Sequence, residues 1–164
     1  MSCSRPAMST TYKTGLPARR TMNVMTEPIR FDTKIAILLR DDLAAWQRLN
    51  VAAFVASGIA AACPETIGEP YLDASGTSYL PMLGQPVLIF AGDRDLLASA
   101  HRRSLQRGLA MAIFTAELFG TGNDRDNRAA VAAVERDKLD LVGIAVHGPK
   151  NAVDKAFKGA EMHR

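Results

Sequence analysis

The stretch IAILLRDDLAAWQRLNVAAFVASGI, residues 35–59, passes from a continuous apolar run into an alanine-rich segment, with two aspartates at the junction. Five apolar residues in succession, Ile35, Ala36, Ile37, Leu38 and Leu39, fit a strand covered on both faces, since such a strand has no solvent side towards which to alternate. Asp41 or Asp42 is then placed to cap a helix by accepting from the free amides of its first turn. Val51, Phe54, Val55, Gly58, Ile59 and Ala62 recur at helical spacing as one apolar stripe, and Pro64 stops it. Ala52, Ala53, Ala56, Ala60 and Ala61 keep the remainder slim, so the helix can lie close to a sheet.

The rest of the chain repeats this alternation. Tyr71 and Tyr79 flank Asp73-Ala-Ser-Gly76, a turn composition that predicts a small hairpin or an ordered loop. VLIFAG (87–92) is a second buried strand, Asp93 caps a helix reaching Arg107, and Gly108 sits where a left-handed C-terminal residue belongs. LAMAIF (109–114) is a third strand, a short helix follows over about 125–134, LVGIAVHG (141–148) is a fourth strand, and residues 151–159 form a closing helix. Strands alternating with helices over short connections predict a three-layer α/β/α sandwich.

Charge divides the 164-residue chain unevenly. Of its 20 Lys and Arg and 17 Asp and Glu, five bases and one acid fall in residues 1–30, which leaves 15 bases against 16 acids for residues 31–164. The net charge of +3 therefore belongs to the N-terminal segment, and the domain offers little neutralisation for nucleic-acid phosphates. Residues 1–30 lack hydrophobic periodicity and are expected to be a disordered extension or the product of an early start, with residues 31–164 a single α/β domain. No apolar stretch reaches the length of a bilayer span. With Cys3 and Cys63 as the only thiols and no CxxC spacing, a reducing, cytoplasmic setting is expected, and neither a metal nor a cofactor.

Four segments in order, LLRDDL, RGLAMAIF, VGIAVHGP and VDKAFKG, together spanning about residues 34–160, resemble the class II peptidyl-tRNA hydrolases of archaea and eukaryotes. The RDDLAAWQRLN opening and the IGEPY segment resemble more closely a bacterial family of uncharacterised domains with that fold. The resemblance implies a mixed, mostly parallel four-stranded sheet. It does not carry over the hydrolases' machinery. Their lysine falls on Leu49 or Asn50, their helix histidine on Ala56 or Ser57, and their aspartate near Ala116, beside Glu117. A site without that base and cation loses proton transfer, worth about 10²–10⁴-fold, and charge stabilisation besides. A small-molecule or protein-binding domain is therefore expected. The alternatives are an ester or amide hydrolase with Glu117 as base and Asn50 or Ser57 as helper and, least favoured, a true peptidyl-tRNA hydrolase.

Ligand contacts are expected where open α/β sheets place them, at the carboxyl ends of strands. Arg40 and Asp42 stand there, and beside two carboxylates a cationic or hydroxyl-bearing ligand is better suited than a phosphate. Trp46, the single tryptophan, is a candidate stacking wall, with Gln47 near it on the helix's polar side. Tyr71 from the hairpin is expected to lid a cleft shared by Glu117 and Asp42, with Asn127 contributing from the segment after the third strand. His101 reads as a solvated helix residue and His147 as the end of a strand. Tyr79, Leu80, Pro81, Met82 and Leu83 exceed what a small core needs, which predicts a homodimer.

Overall fold

β1 (Thr33–Arg40) runs through the middle of the molecule, buried from Ile35 to Leu39, and the other elements are arranged about it. The computed structural model describes residues 29–163, so the extension expected over residues 1–30 lies almost wholly outside the described residues. After β1 come α1 (Ala45–Ala62), a 3-10 turn (Pro64–Thr66) and a hairpin of β2 (Tyr71–Leu72) and β3 (Ser78–Tyr79). β4 (Val87–Gly92), α2 (Arg94–Gln106), β5 (Ala110–Thr115), a second 3-10 turn (Ala116–Gly120) and α3 (Asp124–Ala132) follow. β6 (Leu141–Pro149), α4 (Lys150–Ala156) and β7 (Glu161–Met162) complete the chain.

The main sheet has five strands in the order β5-β6-β1-β4-β7, not four. β7 is the addition, a two-residue strand antiparallel to the end of β4 and too short to announce itself in the sequence. The expectation of a mostly parallel sheet also fails. β1 pairs in parallel with β4 alone, whereas β6 is inserted antiparallel between β1 and β5. A continuous apolar run reports burial on both faces, which helices above and below the sheet impose whatever the strand direction.

Those helices make three layers. Val51, Val55 and Ile59 of α1 pack on Ile35, Ile37, Leu39 and Ala145 on one face. Leu97 and Ala100 of α2 and Val153 and Ala156 of α4 pack on Ala36, Leu38, Ile144 and Val146 on the other. Burying each such side chain contributes about 1.5–3 kcal/mol. α1 lies close because small residues face it. A Cβ added at Gly58 would stand 2.8 Å from Cβ of Ala112, and one added at Gly143 would overlap Cγ1 of Val51.

The aspartates at the junction do not cap α1. The helix begins only at Ala45, and the amide of Ala44 donates to Oε1 of Gln47 at 2.9 Å. Leu43 is buried and draws the chain inward before the helix starts, which leaves Asp41 and Asp42 exposed and short of the first-turn amides. Instead, the Asp41 amide donates to the carbonyl of Gly92 at 3.0 Å and ties the ends of β1 and β4 together. α2 follows its sequence signals, with Asp93 accepting from the Leu96 amide at 2.8 Å and Gly108 at φ +61°.

His101, expected in solvent, is 6% exposed on the packed face of α2. Burial lowers its pKa, Arg136 and Arg102 add to the effect, and Asp137 opposes it. The unfolded imidazole, near 6.5, therefore takes up a proton before the folded one does. Stability is complete above about pH 6.5 and is lost as the pH falls from there towards the depressed folded value. His101→Gln should flatten the decline in thermal midpoint between mildly alkaline and mildly acidic buffer; an unchanged slope would remove this histidine as the cause.

Gly143→Ala forces either Val51, stiff at its branched Cβ, or the strand to move. We expect a loss of about 1–3 kcal/mol in urea unfolding with the fold retained, whereas a neutral substitution would show the α1–sheet contact to be loose.

Candidate functional site

At the carboxyl edge of the sheet, Arg40 is locked in a charge cluster. Its Nε donates to Asp42 at 2.6 Å and a terminal nitrogen donates to Asp140 at 2.7 Å. Arg94 also reaches Asp140, at 2.8 Å. Burial alone would lower the Arg40 pKa, but the hydrogen bonds and charges of Asp42 and Asp140 outweigh it and raise it, so the group is a permanent cation. The carbonyl of Asp140 accepts from the Ala116 amide at 2.9 Å, so one residue joins the exits of β1 and β5. Arg40 and Asp42 thus hold the edge together and line none of the clefts described below.

Beside this clamp, at the carboxyl ends of the parallel pair β1 and β4, lies a polar cleft of about 590 Å³. Asp41, Arg48, Asp93, Glu161 and His163 line it. Arg48 organises it, donating to the carbonyls of Leu43 and Asp41 at 2.9 Å each and standing 3.3 Å from Nε2 of His163. Sequence reasoning passed over Arg48, although it lies three and seven residues before Val51 and Val55 and so shares their stripe. A cation on the buried stripe of an apolar helix was the available signal.

A second cleft, of about 440 Å³, opens on the α1 side of the β5 exit. Its walls are aromatic. Trp46 meets Phe119 edge-on at 5.7 Å, Phe119 lies 5.1 Å from Phe114, and Phe114 meets Phe54 edge-on at 5.7 Å. Phe114 is buried, but Trp46 is 62% and Phe54 52% exposed, so two large rings present surface to solvent. Asn50, Asp124 and Asn127 stand among them. The Thr121 hydroxyl, with its single proton, stands between the Leu118 carbonyl at 2.9 Å and the side-chain amide of Asn127. Asp124 holds Arg128 at 2.9 Å along α3.

Of the residues singled out in the sequence, the fold therefore unites Trp46, Asn50 and Asn127 in one cleft. Gln47 is taken up at the start of α1. Ser57 donates to the Phe54 carbonyl at 2.7 Å on the exposed side of the helix. Glu117 is exposed on the 3-10 turn whose Leu118 and Phe119 wall the aromatic cleft, and is not itself among the lining residues. Tyr71 belongs to a hairpin rooted between the end of α1 and the start of β4, at the opposite edge of the sheet, and lines neither cleft.

That opposite edge carries a group no sequence spacing predicts. Cys63 ends α1, Glu65 follows on the 3-10 turn, and His147 comes from β6, with one ligand atom of each within 4.8 Å of the others. His147, read as a strand end, is buried inside β6. Burial raises the Cys63 thiol pKa, with the Glu65 charge adding to it, so the thiol is protonated rather than a ready nucleophile.

These features define a three-layer α/β domain whose mixed sheet carries two clefts at one edge and a sulfur–nitrogen–carboxylate cluster at the other. The chain belongs to the family described as protein of unknown function (DUF2000), whose model matches residues 33–164. It is similar to a protein of unknown function from Agrobacterium tumefaciens, at 45% identity and a TM-score of 0.80, over 82% of this chain and 100% of that one. No curated protein matches. No helix among the described residues is long and apolar enough to cross a membrane.

Proposed function

We propose that this domain binds a small planar heterocycle in the cleft of Trp46, Phe54 and Phe119. The observation that carries this reading is the pair of exposed rings beside two amides, Asn50 and Asn127. Exposed aromatic faces favour a flat ring, and amides placed at its edge select the pattern of donors and acceptors. Asp124 at the rim already holds Arg128, and its second carboxylate oxygen can accept from an N–H of the ring. The volume lies in the range of small-molecule sites. The resemblance to class II peptidyl-tRNA hydrolases fits the same reading, since it puts Leu49 or Asn50 where those enzymes carry a lysine, which favours binding over cleavage.

A second reading, self-association, is favoured by the hairpin. Tyr71, Leu72, Tyr79 and Met82 are exposed there and Leu80 is 86% exposed. The turn that presents them is ordered. Asp73 accepts from the amides of Ser75 and Thr77 at 2.8 and 2.9 Å and from the Tyr79 hydroxyl at 3.0 Å, with Gly76 at φ +84°. The Thr77 and Tyr79 bonds hold the Asp73 carboxyl below its usual range. An ordered apolar surface of this kind fits a second copy of the chain.

A thermal-shift screen of nucleobases, other heteroaromatics, sugars and inorganic phosphate should give stabilisation by heteroaromatics alone. Trp46→Ala should weaken the best of them about tenfold, equivalent to about 1.4 kcal/mol, with the free protein still folded and its midpoint lowered only by the lost contact with Phe119. No stabilisation, or binding indifferent to Trp46, would end the proposal. In sedimentation velocity at tens of micromolar the chain should run as a dimer and Leu80→Asp as a monomer; a monomeric parent would dismiss the second reading.

A further inference from the structure

The geometry points to a divalent transition-metal site of the zinc type at Cys63, Glu65 and His147. Three donors of different character, a thiol sulfur, a carboxylate oxygen and an imidazole nitrogen, come from two separate parts of the chain and lie within 4.8 Å of one another. Nδ1 of His147 is 3.7 Å from Oε1 of Glu65. Zinc bonds of about 2.0–2.3 Å set tetrahedral ligand atoms about 3.3–3.8 Å apart, so small side-chain movements complete the geometry.

The ligands are held in place without the metal. The Cys63 amide donates to the Ile59 carbonyl at 2.9 Å, which anchors it to α1. Pro64 opens the 3-10 turn, where the amide and hydroxyl of Thr66 both donate to the Cys63 carbonyl, at 2.9 and 2.7 Å. Cys63 and Glu65 are thereby set on one rigid turn. His147 is fixed by its strand, which pairs with Ile35 on one side and Ala110 on the other.

A second observation is independent of that spacing. His147 is 8% exposed, and its Nε2 is buried with no hydrogen-bond partner among the described residues. Gln85 is equally buried, and its Nε2 also lacks a partner while Oε1 accepts from Thr33 at 3.1 Å. Buried polar atoms are ordinarily satisfied, and with Nδ1 of His147 turned to Glu65, Nε2 is the ring nitrogen left over, as a metal-bound histidine has when its second nitrogen meets an outer partner. A cavity of about 240 Å³ is lined by Glu65, Gln85 and His147, with Cys63 outside it, so a water or other oxygen ligand can reach the site from the Glu65 and His147 side. Metal binding converts the Cys63 thiol to thiolate and releases its proton to solvent, and affinity should rise with pH.

The test uses the full chain carrying Cys3→Ser, so that Cys63 is the only thiol, titrated with Zn²⁺ or Co²⁺ alone. One equivalent should bind, with a cobalt–thiolate charge-transfer band and release of about one proton per ion. Cys63→Ser should abolish the band. Glu65→Gln, at an exposed position and with circular dichroism unchanged, should weaken binding at least tenfold. His147→Gln should do the same, and if it does not fold, Glu65→Gln carries the decision. Absence of stoichiometric binding, or binding that is indifferent to Cys63 and Glu65, overturns the assignment.

Discussion

The closeness of α1 to the sheet governs this molecule. Val51 fits where Gly143 has no side chain, and Gly58 rests against Ala112. At that separation the aliphatic stripe of the helix can fill the gap to Ile35, Ile37 and Leu39 without bulky residues, which accounts for the alanines around it. It also sets where both ends of the helix emerge. The first turns carry Trp46 and Asn50 to the carboxyl edge, beside the chain leaving β5, and the last carries Cys63 to the amino edge, beside His147. Interiors packed to crystal density transmit such placements rigidly.

Much of the layer architecture was legible because it follows from burial. Apolar runs marked β1, β4, β5 and β6, and the alanine-rich stripe, Asp93 and Gly108 marked α1 and α2. Strand direction was not legible, because a strand covered by helices on both faces has the same composition whether its neighbours run with it or against it. β6 illustrates this, apolar from Leu141 to Val146 and antiparallel on both sides. The capping expectation failed for a different reason. Asp41 and Asp42 are good caps in isolation, but burying Leu43 is worth more than a cap of about 1 kcal/mol, and the helix starts after it.

The site divides in a comparable way. Trp46, Asn50 and Asn127 could be named from the sequence because a lone tryptophan and amides near element ends are conspicuous. Their convergence with Phe54 and Phe119 depends on the turn Ala116–Gly120 folding back over α1, which no spacing encodes. Arg40 and Asp42 were equally conspicuous but are consumed by each other, and the rest of the Arg40 guanidinium is taken by Asp140, a residue 100 positions away. Cys63 and Glu65 are two apart in sequence, yet their partner His147 is reached only through the antiparallel placement of β6. Long-range pairing joins chemistry that local pattern leaves scattered.

The two edges do not communicate through motion of the helix that serves both. α1 has 18 residues, so at 1.5 Å per residue it separates Trp46 from Cys63 by about 25 Å. Sliding it along its axis would carry Val51 off Gly143 and bring Gly58 across the side chains flanking Ala112, and a shift of a single residue would turn the apolar stripe by about 100°. Its contacts allow one register. A ligand held by the rings at one end therefore cannot tighten or release the Cys63 turn by displacing the helix. The edges are also joined by the sheet, where the paired residues of β5 and β6 run from Thr115 and Leu141 beside the aromatic cleft to Ala110 and His147 beside the sulfur cluster, and β1 runs alongside with Ile35 opposite His147. The β5–β6 ladder is interrupted by a bulge between Phe114 and Thr115, which falls at the cleft end.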